Sequence, residues 1–340
     1  MAESLYNLDI RAERIVGKFL EKYFYPNCRA FTNVKRCYDR DSQYAGIDVS
    51  LYDKDLKREI LIDEKTDGHY FNSVDLTTFV LELSYRAKDD YEYKRRPGWF
   101  VNDNLKTDMY LFSWVSLDKE KYNVVHFRKS TDYFKKFEEN DIHSVVAILC
   151  SKQELQNYFA ANGYDKKNLD DLSWDAFWVS MAYLYKLKHP GDKNYADCCA
   201  ESKEKYGEVV WTINPKGNLF VRKLNLPGTY SLFCSFTLAE KPVTVSIERN
   251  LQLSFAHKIA YIRKDMYVEF PPLKNLDVAT NFCHYCRRDM NRLKYNLKAK
   301  TDVIKVDTDI LTYASLKEAL EELDLLLKQY KSTIDNPLQY

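Results

Sequence analysis

Glycine and proline are scarce, nine of each in 340 residues, which excludes a linker-rich or low-complexity chain. No apolar run approaches the ~18 to 20 residues needed to span a bilayer. The opening segment, MAESLYNLDIRAER, lacks a basic stretch followed by an apolar one, so a cytoplasmic protein is expected. Neither sign of charge dominates: 51 Lys and Arg stand against 50 Asp and Glu, a net of +1. That excludes a surface that is basic all over. It leaves room for a local stripe of cations that grips phosphate, because an acidic metal site elsewhere cancels it in the sum. No Gly-rich phosphate loop, GxSxG or HExxH is present.

What is present is an ordinary globular composition, 45% hydrophobic and 30% charged, with 27 tyrosines among 15% aromatics. The length favours two domains, with a boundary expected near residue 155: residues 1–155, then residues 156–340. In a cytoplasmic chain the eight cysteines are expected to be thiols.

Hydrophobic periodicity predicts a helix over 8–24, ended by Pro26, then strands over 30–38, 44–52 and 58–65. A second helix is expected over 72–86, a polar loop over 87–104, strands over 106–115, 122–127 and 144–150, and a helix over 152–161. In the second half, 171–188 reads as an aromatic-rich helix, 209–268 as strand-rich, and 275–297 and 315–331 as helical.

The most informative stretch is AGIDVSLYDKDLKREILIDEKTDG, residues 45–68, in which two strand-like runs flank a polar turn. A hairpin centred between Asp55 and Leu56 places Asp48 opposite Asp63, Ser50 opposite Leu61 and Gly46 opposite Lys65. Side chains alternate across a strand. Ile47, Val49, Leu51, Ile60 and Ile62 therefore form a core face, while Asp48, Asp63 and Lys65 share the other. Like charges directly opposite one another destabilise a sheet, so a cation between the two carboxylates is implied, and a hard divalent ion suits oxygen ligands. Alternation places Glu64 on the apolar face, away from Asp48. A slip of one residue in register would exchange these assignments.

A helix, a strand bearing Asp48, a strand ending in Asp63-x-Lys65 and a further helix together resemble the PD-(D/E)xK nuclease superfamily, over roughly residues 8–130. The resemblance implies a restriction-endonuclease-like α/β fold, a mixed central sheet flanked by helices, followed here by a second α+β domain for recognition or regulation. It implies phosphodiester hydrolysis with Mg²⁺, or Mn²⁺ in its place, and DNA as substrate by superfamily frequency. Asp48 would be the first acid, Asp63 the second and Lys65 the lysine. The backbone carbonyl of Glu64 would be a third metal ligand, and Glu13 on the first helix an accessory acid. Ile47 stands where the name-giving proline would be. Superfamily members that cut both strands are often dimers, so the resemblance also admits a homodimer. The competing expectation is a nucleic-acid- or partner-binding protein that keeps the fold without cutting.

Around this centre, Lys94, Arg95, Arg96 and Trp99 mix base and aromatic in one loop, and Lys106 follows at the head of the next strand. Such a mixture can hold phosphate and stack on a base. Cys283-x-x-Cys286 could be half of a zinc site, with Cys198, Cys199 or His257 as the remainder, but structural thiols are the commoner outcome. His69, just past Lys65, could border the site.

Overall fold

The computed structural model describes residues 5–66, 68, 71–72, 78–86, 95–118, 121–122, 135–174, 176, 212–213, 219–222, 229–235, 243–248, 252, 255–270 and 303–305. In chain order the elements are α1 (Leu5–Tyr23), β1 (Phe31–Arg36), α2 (Arg40–Tyr44), β2 (Val49–Asp53), β3 (Arg58–Thr66), β4 (Thr78–Arg86), β5 (Arg95–Pro97) and β6 (Met109–Leu117). They continue with β7 (Ile142–Ser151), α3 (Lys152–Ala161), β8 (Thr212–Ile213), β9 (Leu219–Arg222), β10 (Thr229–Ser235), β11 (Val243–Glu248), β12 (Ala256–Arg263), β13 (Met266–Phe270) and β14 (Val303–Lys305). No helix among the described residues is long and apolar enough to cross a membrane.

The chain divides into two compact units that interleave in sequence. The first comprises Met1–Thr77, Lys106–Ser151 and Gln252–Tyr340; the second comprises Thr78–Leu105 and Lys152–Leu251. A single cut near residue 155 captures only the crossing beside Ser151. The crossings beside Thr77, Leu105 and Leu251 have no counterpart in that division.

The first unit is built on an eight-stranded mixed sheet in the order β1-β2-β3-β6-β7-β12-β13-β14. β3 pairs parallel with β6, and β13 parallel with β14, while the other neighbours are antiparallel. The sheet is curled: the far end of β2 meets β12, four places away in the order, where Asp53 Oδ2 lies 2.6 Å from His257 Nε2. α1 presents a stripe of Leu8, Ala12, Val16, Phe19 and Leu20, spaced three and four apart. This stripe packs with Val49, Leu51, Ile60, Ile62, Leu111, Val145, Ala260 and Tyr267 in one continuous core.

Parallel strands cannot be joined by a tight turn. The connection from β3 to β6 leaves the first unit altogether and supplies β4 and β5 to the second. The helix expected over 72–86 is therefore corrected: Thr78–Arg86 is a strand. Phe79, Leu81 and Leu83 alternate and are buried, and β4 pairs antiparallel with β11, with Leu81 opposite Val245 and Phe79 opposite Ile247. Phe79, Val80 and Leu83 also fit a helical stripe, so local pattern was ambiguous and a distant partner strand selected the extended form.

The second unit holds a six-stranded sheet, β5-β4-β11-β10-β9-β8, all antiparallel. Gly98 closes tightly on β4. Its N–H donates to Leu83 O at 2.8 Å, and a Cβ there would lie 2.4 Å from Glu82 O. The expected helix over 152–161 is present as α3. The helices expected over 275–297 and 315–331, and the strand over 122–127 beyond Tyr122, lie outside the described residues.

Candidate metal centre

The hairpin register follows from short-range geometry. Val49 pairs with Ile62, Ser50 with Leu61, Leu51 with Ile60, Tyr52 with Glu59 and Asp53 with Arg58. The expected register holds from Val49–Ile62 to Asp53–Arg58; Asp48–Asp63 and Gly46–Lys65 lie beyond the paired strands, where the Asp48 N–H turns to Ile62 O. Val49, Leu51, Ile60 and Ile62 are at most 2% exposed, and all four join the core under α1.

Asp48 sits one residue before β2 and is pinned on both sides. Its N–H donates to Ile62 O and its C=O accepts from Cys37 N–H, each at 2.8 Å. The carboxylate is aimed by two donors, Glu64 N–H to Oδ2 at 2.8 Å and Gln43 Nε2 to Oδ1 at 3.3 Å. Asp63 is 5% exposed, and its Oδ2 lies 2.7 Å from Lys65 Nζ, two residues along the same face of β3. The Asp63 carboxyl group also lies close enough to that of Asp48 to be pushed toward its protonated form by it. Asp48, Asp63 and Lys65 therefore converge.

Two carboxyl groups this close cannot both stay ionised cheaply. Burial raises the pKa of Asp63 to about 7. Lys65 pulls it down, and Asp48 pushes it up. For Lys65 the largest effect is burial, which lowers its pKa, yet the surrounding carboxyl groups, led by Asp63, raise it on balance. Glu13 keeps contact with solvent at the rim, but the protein around it limits hydration and raises its pKa to about 8. Lys65 opposes that rise, while Asp48, Asp63 and Asp9 add to it. Glu13 thus lies within electrostatic reach of Asp48, Asp63 and Lys65, but it is exposed, whereas Val16 and Leu20, expected on the same face of the helix, are buried.

Glu64 occupies the opposite face. Its carboxylate accepts from Tyr25 Oη at 2.6 Å and takes a bidentate pair from Arg36, whose two terminal nitrogens lie 2.9 Å from Oε1 and Oε2. The same guanidinium donates to Gly17 O on α1 at 2.9 Å. The Glu64 side chain is therefore spent inside the fold, and only its main chain remains to face the centre. The N–H and C=O of one strand residue point to the same side. The Glu64 N–H bonds Asp48 on the β2 side, just beyond the first β2 residue, so its carbonyl is directed there too. Tyr25, Arg36 and Gln43 were not singled out from the sequence. Their roles depend on α1, β1 and α2 meeting the hairpin, which no local motif records.

The residues expected to grip nucleic acid divide. Lys106 belongs to the first unit, is exposed, and joins the Asp48 loop through its N–H to Ala45 O at 2.8 Å. Arg95 and Arg96 lie on β5 and Trp99 just after it, in the second unit. Arg96 is exposed and Trp99 is half-buried. Lys94, His69 and the Cys283-x-x-Cys286 pair are outside the described residues. Cys28, Cys37 and Cys150 are buried free thiols.

A second cluster went unnoticed as such in the sequence. Asp53, Asp55 and His257 each offer one ligand atom within 4.8 Å of the others, and together they could hold a metal ion. Asp53 is fully buried at the hairpin turn, where its Oδ1 accepts the N–H groups of Asp55 and Leu56 at 2.8 and 3.1 Å. Asp55 is already paired with Lys258, which also lies 3.6 Å from Glu269. The cluster sits at the far end of β2 from Asp48, about 17 Å along the strand at ~3.3 Å per residue. The only sequence sign of it was an acidic turn, because His257 lies 204 residues from Asp53.

No family model, curated protein or solved structure matches the chain.

Proposed function

We propose that this chain is a divalent-metal-dependent endonuclease of the PD-(D/E)xK type, hydrolysing phosphodiester bonds in nucleic acid, with DNA as the expected substrate. The convergence of Asp48, Asp63 and Lys65 at the head of one β-hairpin carries the reading. β1, β2 and β3 form an antiparallel meander, α1 packs on it, and β3 continues into the sheet through parallel β6. That arrangement supports a restriction-endonuclease-like core. Among the described residues of the β3–β6 connection, β4 and β5 pass into the second unit.

The residues suit Mg²⁺ or Mn²⁺. Two carboxylates and one main-chain carbonyl, from Asp48, Asp63 and Glu64, are hard oxygen donors. Asp63 is held near pKa 7 beside Asp48, so a divalent cation would displace a proton and relieve repulsion. When bound, the metal would polarise the scissile phosphate and make its coordinated water acidic.

The chain's own groups divide the remaining work. Glu64 N–H and Gln43 Nε2 orient the Asp48 carboxylate toward the centre. Lys65 Nζ, now on Asp63, would turn to the attacking water or to the phosphoryl oxygens once a cation engages Asp63. Glu13 at the rim would serve as an accessory acid.

The test is incubation of plasmid or oligonucleotide with the protein in Mg²⁺ or Mn²⁺, with EDTA as control. Metal-dependent cleavage that disappears in Asp63→Asn and Lys65→Ala is the expected result. A gel shift without product would instead favour the non-cleaving binding protein.

A further inference from the structure

The segment between β1 and β2 carries two tyrosines that the cleavage chemistry leaves unused. Tyr38 is 76% exposed and Tyr44 68% exposed, in a chain whose described aromatics are otherwise mostly buried. A single exposed aromatic is ordinary on a protein surface, but these two lie in one short segment and offer their rings to solvent together with nearby cations. Each is a chain neighbour of a residue that holds Asp48. Cys37, before Tyr38, donates its N–H to Asp48 O; Gln43, before Tyr44, donates its side chain to Asp48 Oδ1. The main chain that carries both tyrosines is thus anchored beside Asp48.

Cations accompany them. Arg40 donates from Nε and a terminal nitrogen to Tyr44 Oη at 3.0 and 2.8 Å, and its guanidinium carbon lies 5.2 Å from the ring centroid. Lys35 and Lys106 are exposed on either side of the segment. The acids here are Asp39 and Asp41. Asp39 is exposed and caps α2, accepting from Ser42 N and Oγ at 2.8 Å each.

Resting on the nuclease reading, we propose that Tyr38, Tyr44 and Arg40 form a stacking platform for a single-stranded stretch of nucleic acid, with Lys35 and Lys106 along its backbone. Exposed π-faces interleaved with cations fit unstacked bases and phosphates. A closed duplex offers phosphates but buries its base faces, so the platform selects single strands, frayed ends or flaps.

The experiment is fluorescence anisotropy in EDTA. Labelled oligothymidylate, oligouridylate and a blunt DNA duplex of equal length are titrated with the full chain and with Tyr38→Ser and Tyr44→Ser. The parent is expected to bind a single strand more tightly than the duplex. Each substitution is expected to weaken single-strand binding by about tenfold, the scale of one lost base–aromatic stack, with duplex binding unchanged. Tyr38→Trp and Tyr44→Trp should restore it. The oligouridylate arm tells whether RNA is accepted as well. Unchanged affinity in both serine variants would overturn the proposal. So would a preference for duplex, or a parent that binds no oligonucleotide but self-associates through these tyrosines. Mn²⁺-dependent thermal stabilisation, measured in the same variants, should persist. Tyrosine-dependent binding without any metal-dependent cleavage would leave the platform standing and remove the nuclease reading.

Discussion

Lys65 Nζ lies 2.7 Å from Asp63 Oδ2, so the lysine of the centre is ion-paired with one of its own candidate metal ligands. Residues two apart on a strand face the same way, and here that spacing lets the ammonium stand where a cation would otherwise be needed. A divalent ion engaging Asp63 would have to release the pair.

Asp63→Asn removes a carboxylate that burial and Asp48 keep near pKa 7. It should abolish metal-dependent cleavage and, in EDTA, lower melting, because the largely buried Lys65 loses its ion partner. It should also cancel the stabilisation that Mg²⁺ gives the parent. Differential scanning fluorimetry with and without Mg²⁺ checks this. A variant that still gains parental stability from Mg²⁺ would remove Asp63 from the ligand set.

The pH dependence has a definite sign. Asp63 goes from 3.8 to about 7 and Glu13 from 4.5 to about 8. For an acid with a raised native pKa, the folded state binds more protons than the unfolded one between the two values, so stability falls as pH climbs through that window. Asp63 is buried and Glu13 exposed, so the metal-free protein should lose stability chiefly from about pH 4 to 7, the Asp63 window. The Mg²⁺-induced rise in melting temperature should grow over pH 6 to 8, as protons stop competing with the metal. Urea melts across this range in EDTA, repeated with Asp63→Asn, should show a shallower slope in the variant.

Arg36 and Glu64 form a buried bidentate pair, with side chains 12% and 7% exposed. Arg36→Met leaves Glu64 without its counter-charge and should cost roughly 3–5 kcal/mol. The double variant Arg36→Met/Glu64→Leu should lose less than the single one, since no buried charge is then left unpaired. Because Glu64 N–H aims the Asp48 carboxylate, Arg36→Met should also weaken Mn²⁺ binding. Chemical denaturation and Mn²⁺ titration read the two effects separately.

The cluster of Asp53, Asp55 and His257 is distinguishable from the centre at Asp48 and Asp63. His257→Asn should leave the response to Mg²⁺ intact while reducing any stabilisation by Zn²⁺, because imidazole suits zinc and oxygen-only sites suit magnesium. Asp48→Asn should show the reverse. Identical responses of both variants to both ions would merge the two sites into one.

Several features were legible without coordinates because they rest on short-range rules. The β2–β3 register follows from the length of the 53–58 turn and strict alternation, which together put Val49 against Ile62 and left Asp48 and Asp63 on one surface. The α1 stripe was visible in its spacing, and the inward turn of Glu64 in its parity with Ile62. Tertiary structure alone decided what the rest of the chain does with that hairpin. Residues 78–86 became a strand because β11, more than 150 positions away, offered hydrogen bonds and an apolar face that no local pattern announces. Arg36 reached Glu64 because β1 and α1 meet over the same core, and His257 reached Asp53 because the sheet curls. Alternation and turn length act over a few residues, so sequence carries them directly. Which distant segments close on one another depends on the summed burial and hydrogen bonding of the whole sheet.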